Sequence, residues 1–415
     1  MADLATPILA QPATPTEADP HAGKLRPEDP AFRRVSLALF AAAISMYASV
    51  YAPQPLLPIL SRELNIPPAS ASLALSATTI SLALAMLVAG ALTDGVGRKP
   101  IMSVALTLIG VIGLAVGFAP SFESLLALRA LEGLVIAALP AATMAYLAEE
   151  IHPRHLGMAM GLYISGNSVG GLTGRIVSGT LAEFAGWRVA LGAIGLLSLI
   201  SAFWFIRALP PSRHFRPRPL RLGGVFGSLG RCLRDPGLRL LYVCSFLLVG
   251  SLVSLYNYIT FELIAPPYSL SAALVSWIFV VYLVGTFSST LMGRLSDRYG
   301  RGVIRASVAV MLLGAVVTLA PSLPLKLLGL VLLTFGFFGS HSIASGWVSA
   351  RAGRDVAPAS GLYLFFFYLG SSLTGSGGGI VYLHFGWSGL VALIAAYLSV
   401  ALIATTVLGR MERAK

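Results

Sequence analysis

The chain has 415 residues, 56% of them hydrophobic and only 11% charged, and a formal net charge of +12. A soluble domain carries about a quarter charged residues, so this composition excludes an ordinary water-soluble fold. Two cysteines, Cys232 and Cys244, and no metal-ligand spacing exclude a disulfide or metal framework.

Residues 1–34, rich in Pro, Ala and charged residues, read as a disordered cytoplasmic tail rather than a signal peptide, because they contain no apolar core. Twelve apolar runs follow, near 36–60, 70–92, 101–120, 122–147, 157–181, 188–208, 238–262, 272–292, 303–321, 325–348, 358–382 and 387–408. Each is close to the roughly 20 residues that cross about 30 Å of hydrocarbon. Between the sixth and seventh runs lies a basic linker, 209–237, with Arg213, Arg216, Arg218, Arg221, Arg231 and Arg234, and with Pro210, Pro211, Pro217 and Pro219. It reads as a cytoplasmic tether along the anionic leaflet. The chain ends in a cytoplasmic tail, 410–415.

The two halves repeat one another. Gly161-Leu162-Tyr163 recurs as Gly361-Leu362-Tyr363, Leu172-Thr173-Gly174 as Leu373-Thr374-Gly375, and Gly186-Trp187 as Gly386-Trp387. The segment from Gly90 to Arg98 recurs from Gly293 to Arg301, and the four offsets are 200, 201, 200 and 203. The expected fold is therefore an all-α integral membrane protein of 12 transmembrane helices in two pseudo-symmetric six-helix bundles, 35–208 and 238–409, enclosing a site between them.

Charge distribution sets the orientation. Placing the amino terminus in the cytoplasm puts 24 of the 29 Lys and Arg on inner segments and leaves only Arg62, Arg188 and Lys326 in outer loops. This is the positive-inside pattern, with both termini cytoplasmic. The basic balance thus reports topology and not a nucleic-acid partner.

The loop between spans two and three joins Gly90, Asp94, Gly97, Arg98 and Lys99. Asp94 at a helix carboxyl end is unfavourable beside the dipole and calls for a cationic partner. Glu149 and Glu150 end span four on the same side, within reach of Arg98. Within span four, Arg129 and Glu132 share a helix face at i, i+3. Charges inside a bilayer are expensive and mark functional sites. At 1.5 Å per residue, Arg129 in span four and Arg175 in span five both lie about 10 Å below the outer surface. The three are expected to meet, with Glu132 exchanging a proton, Arg129 tuning it and Arg175 attracting an anionic group or sharing the carboxylate. The alternative is a permanent ion cluster that fixes packing.

Span five carries Gly161, Gly166, Gly170, Gly171 and Gly174 around Asn167, and span eleven carries Gly370, Gly375, Gly377, Gly378 and Gly379. Small residues at four-residue spacing permit close helix approach. Tyr47, Tyr51 and Gln54, beside the interruption at Pro53 and Pro55, are expected to line a substrate cavity, as are Asn167, Tyr256 and Asn257. His341 is the one histidine well inside a span, and its titration range suits proton handling. Glu262 reads as a rim residue. No catalytic arrangement and no phosphate-binding loop with Lys is present, so neither an enzyme nor direct ATP drive is expected.

The loop motif resembles the G-x-L-x-D-R-x-G-R-[KR] signature of the major facilitator superfamily. It occurs in both halves: Gly90, Asp94, Gly97, Arg98 and Lys99, then Gly293, Asp297, Arg298, Gly300 and Arg301. The first copy has Gly95 in place of the usual Arg, and the second has Gly302 in the last basic place. The resemblance covers about 35–408 and is closest to the bacterial drug- and metabolite-efflux branch, the YnfM-like group. It implies a cytoplasmic gate in which Asp94 faces Ala357–Ser360 and Asp297 faces His155–Gly157. It also implies proton coupling at Arg129, which with Gly133 matches the family's R-x-x-x-G setting. The Gly-Pro pair of the antiporter branch is missing from span five. The implied protein is a monomeric secondary transporter of the bacterial inner membrane. It would move a small solute, by efflux, with the proton gradient as energy source and no cofactor. The alternatives are a facilitator or proton symporter of a small organic anion, suggested by Arg129 and Arg175, and a solute sensor that does not transport.

Overall fold

The structure is a computed structural model that describes residues 23–215, 222–300 and 302–413. Among the described residues every regular element is helical, apart from one isolated bridge between Leu25 and Ile151.

Helix α1 (Pro30–Tyr51) opens with proline at its first position, where the missing N–H costs nothing. Pro53 and Pro55 then break the ladder into a 3₁₀ turn, Gln54–Leu56, before α2 (Leu57–Glu63) resumes; together they form one 34-residue crossing. The short α3 (Pro68–Ala71) leads into α4 (Leu73–Val96) and α5 (Arg98–Gly117). A reciprocal Ser121–Ser124 capping box starts α6 (Phe122–Ile136). Pro140 separates it from α7 (Ala138–Glu150), since its ring meets the carbonyl four residues back. Helix α8 (Pro153–Ala208) completes the first half. The second half contains α9 (Leu222–Arg234), α10 (Pro236–Ile264), α11 (Ala272–Trp277), a 3₁₀ segment Ile278–Tyr282, α12 (Leu283–Tyr299), α13 (Gly302–Val317), α14 (Leu323–Arg351) and α15 (Val356–Arg413).

Eight stretches are long and apolar enough to cross a membrane, and Leu73–Ala89 and Gly302–Val317 are shorter apolar helices. Two of the eight are double: α8, of 56 residues, folds back at Gly186 (φ 78°), and α15, of 58 residues, at Gly386 (φ 63°). Positive φ at these sharp reversals is what only glycine adopts freely. Each is followed by a buried tryptophan, Trp187 and Trp387. The chain thus crosses twelve times, in two equivalent halves.

In the first bundle α8 packs on α1 and α5; in the second, α15 packs on α10, and α14 on α12 and α13. The glycine stripe is spent on packing. Gly166, Gly170 and Gly174 lie directly on the backbone of α1 at Phe40, Ile44 and Ala48, and Gly370 lies on Phe246 of α10. The halves meet where α4 crosses α15 and where α8 crosses α11.

Two expected boundaries shift. The presumed tail is structured from residue 23: the Leu25 N–H donates to Glu150 O (2.8 Å), Leu25 O accepts from His152 N–H (3.0 Å), and α1 begins at Pro30. Residues 1–22 lie outside the described residues. The linker is also docked rather than lying along a leaflet. Glu150 accepts from Ser212 Oγ (2.7 Å), Arg213 N–H (2.7 Å) and His214 N–H (2.9 Å) and faces the His214 ring. Helix α9 buries Leu229 and Cys232 against Leu241, Tyr242 and Ile304, while Arg231 pairs with Asp355 at 2.8 Å. Asp235 caps α10 through Leu238 N–H (2.8 Å) and pairs with Arg351. Partial burial works against its charge, but Arg351 and the capping N–H groups hold its pKa below the ordinary value. Of the linker's six arginines, Arg216, Arg218 and Arg221 lie outside the described residues.

Candidate functional site

Arg129 and Glu132 are 2% and 0% exposed and bond to one another inside the first bundle. Arg129 also donates to Ala74 O (3.1 Å), Ser49 O (3.0 Å) and Val50 O (2.9 Å), while the Ser49 hydroxyl donates to Glu132. The Ser49 and Val50 carbonyls belong to the last turn of α1, and the residue four along from Ser49 is Pro53, which has no N–H to offer. A buried ion pair is tolerable only when its remaining donors and acceptors are satisfied, and this one meets that condition. Gly133 brings α6 onto Thr78 and Ser81 of α4, which places Arg129 within reach of Ala74.

Arg175 does not join this pair, contrary to the expected three-residue cluster. Equal depth is not equal azimuth: Arg175 faces the second bundle, while Arg129 and Glu132 face the first bundle's own interior. Arg175 Nε donates to Gln54 Oε1 (2.7 Å), and Nη1 to Gly171 O (2.9 Å). Gln54 Nε2 then donates to Asn257 Oδ1 (2.8 Å) across the interface. The guanidinium lies 4.1 Å from the Tyr51 ring centroid, 4.5 Å from that of Tyr282 and 4.9 Å from that of Phe279. Such desolvated cation–π contacts are worth about 2 kcal/mol or more. Tyr51, Gln54, Arg175 and Asn257 are thus brought together, as sequence-predicted cavity residues, with Phe279 and Tyr282 added by the fold.

The other candidates are dispersed. Tyr256 is fully buried behind the cage, its hydroxyl 2.7 Å from Thr334 and its ring against Phe279 and Tyr282; it supports the site and does not line it. Tyr47 meets Tyr368 across the bundles at 3.4 Å. Asn167, two turns along α8 from Arg175, is half-buried and its Oδ1 is unpartnered. His341 is remote: Tyr363 faces its Nδ1 at 3.0 Å, and with Ser345, Ser349, Ser360 and Tyr363 it lines a cavity of about 280 Å³ in the second bundle. Lys326, expected in an outer loop, is 2% exposed in α14 and pairs with Glu262 at 3.2 Å over the Trp387 ring. Burying Trp387 at the reversal draws the lysine stem inward.

At the basic end, Arg98 grips Glu149 with two nitrogens (2.8 and 3.1 Å), as anticipated, and donates to Thr93 Oγ1 (3.1 Å). Gly97 and Gly300 take positive φ where α4 and α12 end, and Lys99 is half-buried at the start of α5. Gly90 and Asp94 fall within α4, but the Asp94 side chain is outside the described residues, as is Arg301. The expected contact of Asp297 with His155–Gly157 is not made: Asp297 and Arg298 are exposed on α12 near Gly293, and Gly157 and Gly161 face open space. The reason is conformational. At the opposite end α8 and α11 touch, with Gly179 against Ser276 and Glu183 accepting from Ala273 N–H at 2.6 Å. Toward the basic end the second bundle continues as α12, which does not pack on α8, so the bundles are parted along this seam.

A hydroxyl ladder seals the closed end between α4 and α15. Thr79 Oγ1 lies 2.7 Å from Ser372 Oγ, Ser76 Oγ donates to Ser372 O (3.1 Å), and Ser72 Oγ to Ser376 Oγ (3.1 Å). Neutral hydrogen bonds contribute only about 1 kcal/mol net each, which suits a contact that must break and re-form. Thr79→Val removes one rung at nearly constant volume. In a background lacking Cys232 and Cys244, a cysteine at Ser76 should then react about fivefold faster with an impermeant thiol reagent added at the closed end. An unchanged rate would remove the ladder from the seal.

Two pseudo-symmetric six-helix bundles, sealed at one end and parted at the other around a polar apex, define a membrane transporter. The chain belongs to the Major Facilitator Superfamily, whose profile matches residues 39–374. It is 49% identical over 379 residues to the "Uncharacterized MFS-type transporter YybF" of Bacillus subtilis (strain 168), covering 91% of this chain and 94% of that one. It is 46% identical over 382 residues to the "Inner membrane transport protein YnfM" of Escherichia coli (strain K12), covering 92% of each. Among solved structures, a bacterial homolog of the human lysosomal transporter Spinster shares the fold. The TM-score is 0.74 at 14% identity, over 93% of this chain and 97% of that one. The resemblance to the YnfM-like group therefore holds.

Proposed function

We propose that this chain is a monomeric secondary active transporter of the bacterial cytoplasmic membrane, exporting a small solute by alternating access in exchange for protons. The observation that carries the reading is the Arg175–Gln54–Asn257 apex, shared by both bundles, sealed beyond by α8 and α11 and open on the basic side. By the positive-inside rule the basic end is cytoplasmic, so both termini are inside and the site faces inward. Proton drive is assigned to Glu132. Arg129 and Glu132 grip Ser49 and Val50, and the chain then runs directly into Tyr51 and Gln54, which hold Arg175. Protonating Glu132 cancels its charge and weakens its bonds to Arg129 and the Ser49 hydroxyl, which loosens the hold on the proline-broken segment of α1. A second reading, proton symport or facilitated passage of a small organic anion, is favoured by the cationic apex.

The test uses proteoliposomes and a solute found by screening resistance and metabolite export in a strain lacking the gene. Export in exchange for protons predicts accumulation driven by a pH gradient, with solute and protons moving in opposite directions. Movement in the same direction selects symport, and indifference to the gradient selects a facilitator. Glu132→Gln is expected to keep downhill flux but lose gradient-driven accumulation at least tenfold. Retention of both transport and proton movement would end the assignment of Glu132.

A further inference from the structure

Six charged side chains are among the buried residues described: Arg98, Arg129, Glu132, Glu150, Arg175 and Lys326. Arg98 is neutralised by Glu149, Arg129 by Glu132 and Lys326 by Glu262, while Glu150 is held by His214 and three further donors. Among the described residues, Arg175 is the one buried cation with no oppositely charged partner. A buried charge left uncompensated is costly, and cation–π contacts with Tyr51, Phe279 and Tyr282 offset only part of that cost.

Its hydrogen bonding is unfinished as well. Of five N–H donors, the Nε donor reaches Gln54 and one Nη1 donor reaches Gly171 O; the described residues supply no acceptor for Nη2. The amide orientations follow from this chain. Because Gln54 turns Oε1 toward Arg175, it must offer Nε2 to Asn257 Oδ1, which leaves Asn257 Nδ2 as the loose end. That nitrogen is fully buried and unpartnered. The apex therefore holds one positive charge and surplus donors, with three aromatic rings packed about the guanidinium.

We infer that the transported solute carries a carboxylate, accepted by the free guanidinium edge of Arg175 with Asn257 Nδ2 as a further donor. A carboxylate has the single negative charge, the planarity and the acceptor-only character that complete this set. Because Arg175 and Gln54 belong to the first bundle and Asn257, Phe279 and Tyr282 to the second, the bound anion is held by both. The inference rests on the transporter reading and specifies its cargo.

The experiment measures binding separately from flux. Full-length protein in nanodiscs is titrated by calorimetry with acid and amide pairs of equal shape: acetate and acetamide, lactate and lactamide, benzoate and benzamide. At least one acid is expected to bind tenfold or more tighter than its amide, and Arg175→Gln to abolish that preference. Melting temperature is the second readout. Removing an unpaired charge should leave the ligand-free protein as stable or more stable, whereas removal of a structural pin would lower it. No preference for any acid, or a preference that survives in Arg175→Gln, overturns the inference. Flux of a neutral solute through the wild-type protein would overturn it while leaving the transporter reading intact. Binding of an acid without flux would do the reverse.

Discussion

Arg129→Ala is expected to destabilise the first bundle by about 3–5 kcal/mol, the cost of stranding a buried charge. The guanidinium is the shared donor for the Ala74, Ser49 and Val50 carbonyls and for Glu132. Without it, Glu132 keeps only Ser49, and three carbonyls lose their partner in a dry interior. Glu132→Gln should cost less, because the amide still accepts from Ser49 and Arg129 keeps its three carbonyls. An apolar double replacement, Arg129→Met with Glu132→Leu, should recover much of the loss, since no charge then remains to be solvated. Melting in detergent, followed by size-exclusion fluorescence, checks the order: Arg129→Ala least stable, the double variant between it and wild type. If Arg129→Ala melts like wild type, the pair is not the pin that its bonding describes.

Gly170→Leu should prevent α1 and α8 from packing, at a cost of about 3 kcal/mol or more. A Cβ at this position meets the Ile44 backbone, which has no rotamer by which to yield, and Gly166 and Gly174 repeat the constraint one turn away on either side. Moving α1 away from α8 would also disturb the Ser49 and Val50 carbonyls that Arg129 of α6 holds on another face of α1. Gly161→Ala, on the same helix but facing open space, is the matched control and should melt within about 0.5 kcal/mol of wild type. Equal yields of folded Gly170→Leu and Gly161→Ala would show that α1 and α8 do not rely on backbone contact.

Helix number and duplication were legible because each rests on a property written along one dimension. Apolar run length counts crossings, and the repeat offset marks the halves. Gly186 and Gly386 were legible by the same logic, since equal turns demand glycine at equal positions. The membership of the site was partly legible. Gln54 and Asn257 stand at equivalent positions of the two repeats, 203 residues apart, and residues so related can meet near a pseudo-twofold axis. That signal was present, although each residue on its own read only as a cavity amide. The cage residues Phe279 and Tyr282 carried no signal above the many aromatics of an apolar chain.

What sequence settles by itself here is therefore the class of fold, its twofold construction and the identity of the charges that enter the membrane. Tertiary structure alone decided how those charges are shared. Arg129 and Arg175 have the same depth and the same chemistry, but one turns inward to a carboxylate on its own helix and the other outward to a neutral amide. Linear spacing reports height along a helix; the direction a side chain takes around it is set by packing. In a medium of low dielectric, that direction separates a satisfied ion pair from a cation with no counter-charge among the described residues.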